Sequence, residues 1–403
     1  MRSELTSDRR IPAPRPRIRA FFLAAVLALS IPWGASAEEL YSDSGFFLEL
    51  PEGFTLNDGD GSSRFSFTDP SGVLLFQIFL YEPARYSDAP AMRDDILKKL
   101  SARADSEAFT YQRRKAVMAD LSFPVAGEPH RGWGLFLDGA PRNSAGKPEK
   151  DIALLAYVPE ERYEAYLPFI LSCLDGFSVD EEARLYPGPV SQFNLPWDPG
   201  ARKPAELRFG ERILKVPYDP REGRAAQDTV EREFQVFAVY ANSAPDLAPA
   251  AWARFYRMIY RETFHRLDFL SLILQRELAG EPDERSRTAR LLAWTQGFRY
   301  ERDPEGSDVV NPLSAAFEGR GDCDSRAVLL AILARHDNRD ALLMLSVKHS
   351  HALAAFDLPG PGARFPHDGK GWLIGETTDD VALGLIDAGM ADPKDWLAVE
   401  FPR

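Results

Sequence analysis

The stretch that most constrains this chain runs from Gly319 to Glu376. CDSRAVLLAILARH, from Cys323 to His336, carries apolar residues at helical spacing with no breaker, and Gly319, Gly321 and Asp322 stand just before it. A helix therefore starts at or near Cys323. Three apolar β-type runs follow, in ALLMLSV, HALAAF and GWLIGE, so His351 opens one strand and Glu376 closes another. The partial positive charge of a helix N-terminus lowers a thiol pKa and favours thiolate. A helix start facing neighbouring strands can also bring thiol, imidazole and carboxylate together. That is the nucleophile, base and orienter of a catalytic triad, with Cys323, His351 and Glu376 in those roles.

Other residues in this stretch compete for the roles. His349 lies two residues before His351, on the same face if the strand extends back, and either imidazole could serve as base. Asp357 lies six residues along that strand, well away from His351. Asp324 and Arg326 read as a local pair steadying the helix start, or as a solvated helix turn. His265, His336 and His367 have no second ligand at metal spacing, so no metal or cofactor is expected.

GDCDSRAVLLAILARH resembles the cysteine motif of transglutaminase-like proteins, in which Gly-x-Cys opens a helix. His351-Ala352, with the apolar strand after it, resembles that family's His-Ala strand. GWLIGETT resembles its third motif, a Trp-containing strand ending in an acid; the usual acid is Asp, and here it is Glu376 followed by Thr377 and Thr378. The resemblance covers residues 280–380 well and 200–280 vaguely. It selects His351 over His349, because the Ala follows the base directly. It implies a transglutaminase/papain-like domain, a helix packed on an antiparallel sheet. Such sites often place a side-chain amide beside the thiolate as an oxyanion donor, and Gln296, in the preceding helix, is the candidate.

The chain's start has another character. Arg2, Arg9, Arg10, Arg15, Arg17 and Arg19 precede the apolar run Ala20 to Trp33, which ends at the small-x-small site Ala35-Ser36-Ala37. This order reads as a secretory signal peptide over residues 1–37, hence a periplasmic or extracellular protein; an uncleaved anchor would tie it to a membrane. Removing those residues takes the 48 basic residues to 42 and the 61 acidic ones to 59, a net charge of −17. So acidic a surface argues against nucleic acid as a partner. Only Cys173 and Cys323 are present. They fall in different expected domains, and a chain of this size needs no staple, so a disulfide is not expected. Cys173 reads as a small buried residue.

Residues 38–184 read as an N-terminal α+β domain. FFLELPEGF, SRFSFTDP, VLLFQIFLYEP, WGLFLDG and DIALLAYVP suggest strands of an antiparallel sheet, while AMRDDILKKLSARA and EERYEAYLPFILSCLDGF suggest helices. Asn57, Asp58 and Asp60 fit a hairpin turn and lack calcium-loop spacing. The order of elements and LPEGF resemble the PsbP-like fold. Residues 185–200, with four prolines, read as a linker. Residues 201–403 form the second domain. LRFGERILKVPYD suggests a hairpin, FQVFAVYA a strand, and the stretch from Ala251 to Leu278 one long amphipathic helix whose Phe255, Ile259, Tyr260 and Phe264 face the core.

Together these readings set up an exported thiol enzyme. Cys323 would attack an amide or peptide carbonyl and form a thioester, with hydrolysis favoured over amine transfer. A protein or peptide substrate, cell-wall peptide included, fits that location. The competing reading is an idle transglutaminase-fold scaffold of the cell envelope.

Overall fold

The computed structural model describes residues 40–41, 45–83, 85–139, 149–302 and 306–402. The signal-peptide reading of residues 1–37 lies outside them. No helix among the described residues is long and apolar enough to cross a membrane. The fold is mixed α+β, with antiparallel sheets and helices.

The first half contributes β1 (Leu40–Tyr41), β2 (Phe47–Leu48), β3 (Thr55–Gly59), β4 (Arg64–Thr68), β5 (Leu75–Tyr81), helix α1 (Ala89–Leu100), β6 (Arg103–Tyr111), β7 (Arg114–Val125), β8 (Glu128–Leu137), β9 (Asp151–Pro159), α2 (Tyr163–Asp175) and β10 (Phe177–Ser178). Strands β3 to β9 form one antiparallel sheet in the order β3-β4-β5-β9-β8-β7-β6. Phe76, Ile78 and Leu154 face α2, while Ala153, Leu155 and Phe136 face Met92 and Ile96 of α1. With helices on both faces, central β9 is buried at nearly every position, which is why it reads as a continuous apolar run. Helix α1 starts where the Asp88 carboxylate accepts the Ala91 N–H at 2.8 Å and stops at left-handed Ser101. The sequence reading carried this helix to Ala104, but Arg103 and Ala104 already belong to β6. The pair β6–β7 was not foreseen: β6 is an edge strand, exposed at most positions, so little apolar alternation marks it.

The stretch 185–200 contains a helix, α3 (Pro189–Asn194), with Pro189, Val190, Ser191 and Gln192 buried. The second half continues with the hairpin β11 (Lys203–Phe209) and β12 (Arg212–Tyr218), then α4 (Pro220–Ser243), α5 (Ala248–Thr263), α6 (Asp268–Glu277), α7 (Glu284–Gln296), α8 (Pro312–Glu318) and α9 (Cys323–His336). Strands β13 (Ala341–Ser346), β14 (His351–Phe356), β15 (Arg364–His367), β16 (Lys370–Gly375) and β17 (Leu397–Val399) form an antiparallel sheet in the order β15-β16-β14-β13-β17. Helix α9 lies on one face of it, against Leu343, Leu345, Ala352, Ala354 and Leu373. Trp372, Trp396, Phe365 and Leu353 cover the other face.

Two expectations fail here. FQVFAVYA is the C-terminal part of α4 and not a strand. Its Val236 and Tyr240 pack with Ala251 and Phe169, while its exposed positions carry the apolar Val239 and Ala241, so no polar stripe marks the helical period there. The single long helix from Ala251 is two, because a tight turn at His265–Leu267 separates α5 from α6. Phe255, Ile259 and Tyr260 do belong to the core.

A buried charge network joins the halves. Glu233 of α4 accepts from Ser172 Oγ and Arg254, each at 2.8 Å, and Arg232 reaches Asp175 at 2.6 Å. Arg261 of α5 donates to the carbonyls of Asp175 and Phe177, and Arg257 donates to Glu49 at 2.6 Å. Each guanidinium has a carboxylate or carbonyl partner, as burial of charge demands.

Candidate active site

Helix α8 ends at left-handed Gly319, and the chain turns through Gly321 (φ 149) into α9. A Cβ at Gly321 would stand 2.8 Å from the Ser325 Cβ, so no side chain fits there. Asp322 caps α9: its Oδ1 accepts from Ser325 N at 3.0 Å and Ser325 Oγ at 2.6 Å. Cys323 is thus the first residue of the helix, and its Sγ meets the backbone N–H of Ala352 at the start of β14.

His351 and Glu376 are in contact. The imidazole Nε2 and Glu376 Oε2 are 2.7 Å apart, and the other carboxylate oxygen accepts from Thr378 N and Oγ1 at 2.7 Å each. The β14–β16 register pairs Ala354 with Gly375. Glu376 follows directly on the end of β16, and His351 opens the neighbouring β14. Burial would raise the Glu376 pKa, but the His351 hydrogen bond and charge and the Thr378 bonds outweigh it and hold the carboxyl low. The longer Glu arm therefore reaches its imidazole.

Beside the thiol stands an acidic pair. Cys323 Sγ lies 3.5 Å from Asp324 Oδ1, and the hydroxyl of Tyr256, on α5, donates to Asp324 Oδ2 at 2.6 Å. Burial, and then the charge of Asp324, push the Asp322 carboxyl up to about 7; burial raises Asp324 too. The thiol itself is pushed well above its ordinary value, by burial first and then by Asp324 and Asp322. The expectation that the helix terminus yields a thiolate is overturned for this state. Cys323 sits in the first turn, where the dipole is felt, but desolvation and two acids oppose it there. Donor atoms of Asp322, Cys323 and Asp324 lie within 4.8 Å of one another, a spacing that could hold a metal ion.

No family model matches this chain, and no curated protein does. Among the solved structures similar in part are three proteins. Cyanobacterial PsbP (CyanoP) from Synechocystis is 16% identical, with a TM-score of 0.29 over 37% of this chain and 97% of that one. A protein of unknown function from Pseudomonas aeruginosa is 15% identical, with a TM-score of 0.20 over 33% and 90%. A Bacteroides thetaiotaomicron protein is 14% identical, with a TM-score of 0.24 over 58% and 80%. The first is a weak PsbP-like neighbour of the N-terminal region. At such scores the likenesses say nothing about the site.

The remaining candidates sit elsewhere. Gln296 donates both amide N–H groups, to the carbonyls of Glu376 at 2.8 Å and Val381 at 2.9 Å, so it ties down the loop after β16 and does not offer them to an oxyanion. His349 is held by Asp395 at 3.3 Å and stacks on Trp396. Asp357 pairs with Lys370. Arg326 and Asp324 are not a pair. Arg326, one of the largest fully buried side chains, donates to the carbonyls of Gly321, Thr377 and Phe298 at 2.9, 3.1 and 2.8 Å. It thereby joins the cysteine loop, the glutamate loop and the segment after α7. His265, His336 and His367 contact Asp268, the Phe264 carbonyl and Glu400 respectively. Cys173 and Cys323 are both free and buried. Tyr256 was out of reach of sequence reasoning, because only the packing of α5 on α9 brings it to Asp324.

Proposed function

We propose that the protein is a transglutaminase-like thiol enzyme acting on an amide or peptide carbonyl. The observation that carries this is the 2.7 Å contact of His351 with Glu376, next to Ala352, whose backbone N–H meets the thiol of Cys323 at the first position of a helix. With Nε2 bonded to Glu376, the imidazole keeps Nδ1 for the thiol proton. Cys323 sulfur attacks the carbonyl carbon, its proton passes to His351, and His351 returns that proton to the leaving amine as the C–N bond breaks. Water then attacks the thioester, releasing the acid and restoring the thiol; an amine in place of water would give transfer. Hydrolysis is favoured because water is always present. Export and a peptide substrate remain part of the same reading, resting on the N-terminal sequence.

A second reading, an idle fold serving as an envelope scaffold, draws on one observation: Cys323 is 2% exposed, and burial with Asp324 and Asp322 beside it pushes its thiol pKa up. The deciding experiment screens the purified protein against peptide-amide libraries, following released amine and intact mass, with Cys323→Ala beside it. Turnover or acyl-enzyme mass that vanishes in the variant supports the enzyme. Turnover that survives the variant removes Cys323 as nucleophile, and a fully inert protein favours the scaffold.

A further inference from the structure

After α7 the chain runs beside the loop that leads to Cys323. Arg299 N donates to the Gly319 carbonyl at 2.8 Å, and Gly321 N donates to the Arg299 carbonyl at 3.1 Å, a bridge that lays residues 299–302 beside the loop leading to Cys323. Arg299 and Glu301 turn to one side, where Glu301 binds Arg299 and Arg320, and Arg320 binds Glu318. Tyr300 and Arg302 turn to the other. The Tyr300 ring lies over the Arg326 guanidinium at 5.6 Å and carries Arg302 on it at 6.0 Å. Tyr300 is 53% exposed although it is a large aromatic, and Arg302 is exposed too. Arg302 hydrogen-bonds Tyr300, and it forms no ion pair among the described residues. Its charge reaches Asp322, Asp324 and Cys323.

The geometry points to Arg302, steadied by Tyr300, as the residue that receives a carboxylate carried by the substrate beside its scissile amide. This inference rests on the thiol-enzyme reading above and adds the substrate's charge. A guanidinium keeps its charge at every working pH and matches a carboxylate with two N–H donors. It is also the cation that would make an anionic substrate tolerable next to Asp322 and Asp324, which otherwise repel one. An acidic side chain and a free α-carboxylate share the chemistry Arg302 would bind.

The test uses three thiol-directed probes on the whole protein, followed by mass at Cys323: bromoacetyl-alaninamide (neutral), bromoacetyl-alanine (free α-carboxylate) and bromoacetyl-glutamic α-amide (side-chain carboxylate). At least one anionic probe is expected to label roughly fivefold faster than the neutral one, the size a single charge contact in nearly bulk water supplies. The faster anionic probe identifies which carboxylate is preferred. The preference should vanish in Arg302→Gln, survive in Arg302→Lys, and shrink as salt is raised. Any change in thiolate fraction cancels in the ratio of rates, so Arg302 acting merely to balance Asp322 and Asp324 would leave the ratio unmoved. A ratio near one in the native protein, or one untouched by Arg302→Gln, overturns the inference. The neutral probe alone reports on the thiol: if Cys323 resists it at every pH, the enzyme reading fails, separately from the charge preference.

Discussion

The His351 imidazole and the Glu376 carboxylate meet at 2.7 Å, from adjacent strands β14 and β16, with the far carboxylate oxygen fixed by Thr378. The carboxylate selects the imidazole tautomer and stabilises the imidazolium formed when it takes a proton. Glu376→Gln keeps the size but can present an amide to Nε2. Turnover of an amide substrate should fall by about 10²–10⁴, with His351→Ala at least as damaged. Full activity in Glu376→Gln would remove the carboxylate from the mechanism.

Arg326 joins three loops by donating to three buried carbonyls. Arg326→Met fills similar volume and leaves those carbonyls without a donor, each worth about 1–3 kcal/mol when stranded. The variant should lose about 3 kcal/mol or more, read as a lower urea midpoint, with Arg326→Lys between it and the native protein. Because the cysteine and glutamate loops separate together, Cys323 should also become accessible to neutral alkylating reagents below the unfolding midpoint.

Legibility followed the range of each interaction. Gly321, Asp322 and Cys323 announced the start of α9 within a few residues, and the runs around His351 and Glu376 showed their strands through local apolar pattern. What failed was long-range. The C-terminal part of α4 looked like a strand because apolar Val239 and Ala241 occupy its exposed positions, which hides the helical period. Tyr256 reaches Asp324 across a separation of 68 residues, and nothing near either residue signals it. Gln296 was the oxyanion candidate, yet its amide serves the Glu376 and Val381 carbonyls. The helix-terminus argument for a thiolate was local as well. Burial and the paired acids, which reverse it, exist only in the folded chain.

That reversal gives a pH prediction. Ionised Asp322 and Asp324 disfavour a second negative charge on Cys323, and burial disfavours it further. Alkylation of the free protein by iodoacetamide should therefore rise only above pH ~8.5, the ordinary thiol value. Removing either acid's charge should help the thiolate form. Asp322→Asn and Asp324→Asn should each move the profile down by about one unit, the low end of what a neighbouring charge does. A profile that stays in place in both variants would show that the acids do not control the thiol.

Glu52, 7% exposed at the junction of the two halves, has a buried carboxylate oxygen with no hydrogen-bond partner. Burial raises its pKa to about 7; Arg254 and Arg257 oppose the rise, and Glu49 adds to it. The unfolded chain releases this proton near 4.5, so between about pH 4.5 and 7 the folded state holds more protons than the unfolded one. Stability from this group is thus lost as pH rises through that window, and the full penalty stands above it. At 1.36 kcal/mol per unit the penalty is of order 3 kcal/mol. Glu52→Gln cannot ionise and should be more stable than the native protein by about 1–3 kcal/mol at pH 8, with the gain fading toward pH 4.5. Asp322 titrates with the same sign, but it is present in both proteins and drops out of the difference. Urea unfolding of the pair at pH 5 and pH 8 measures this directly. A gain equal at both pH values would assign the effect to packing rather than to the buried proton.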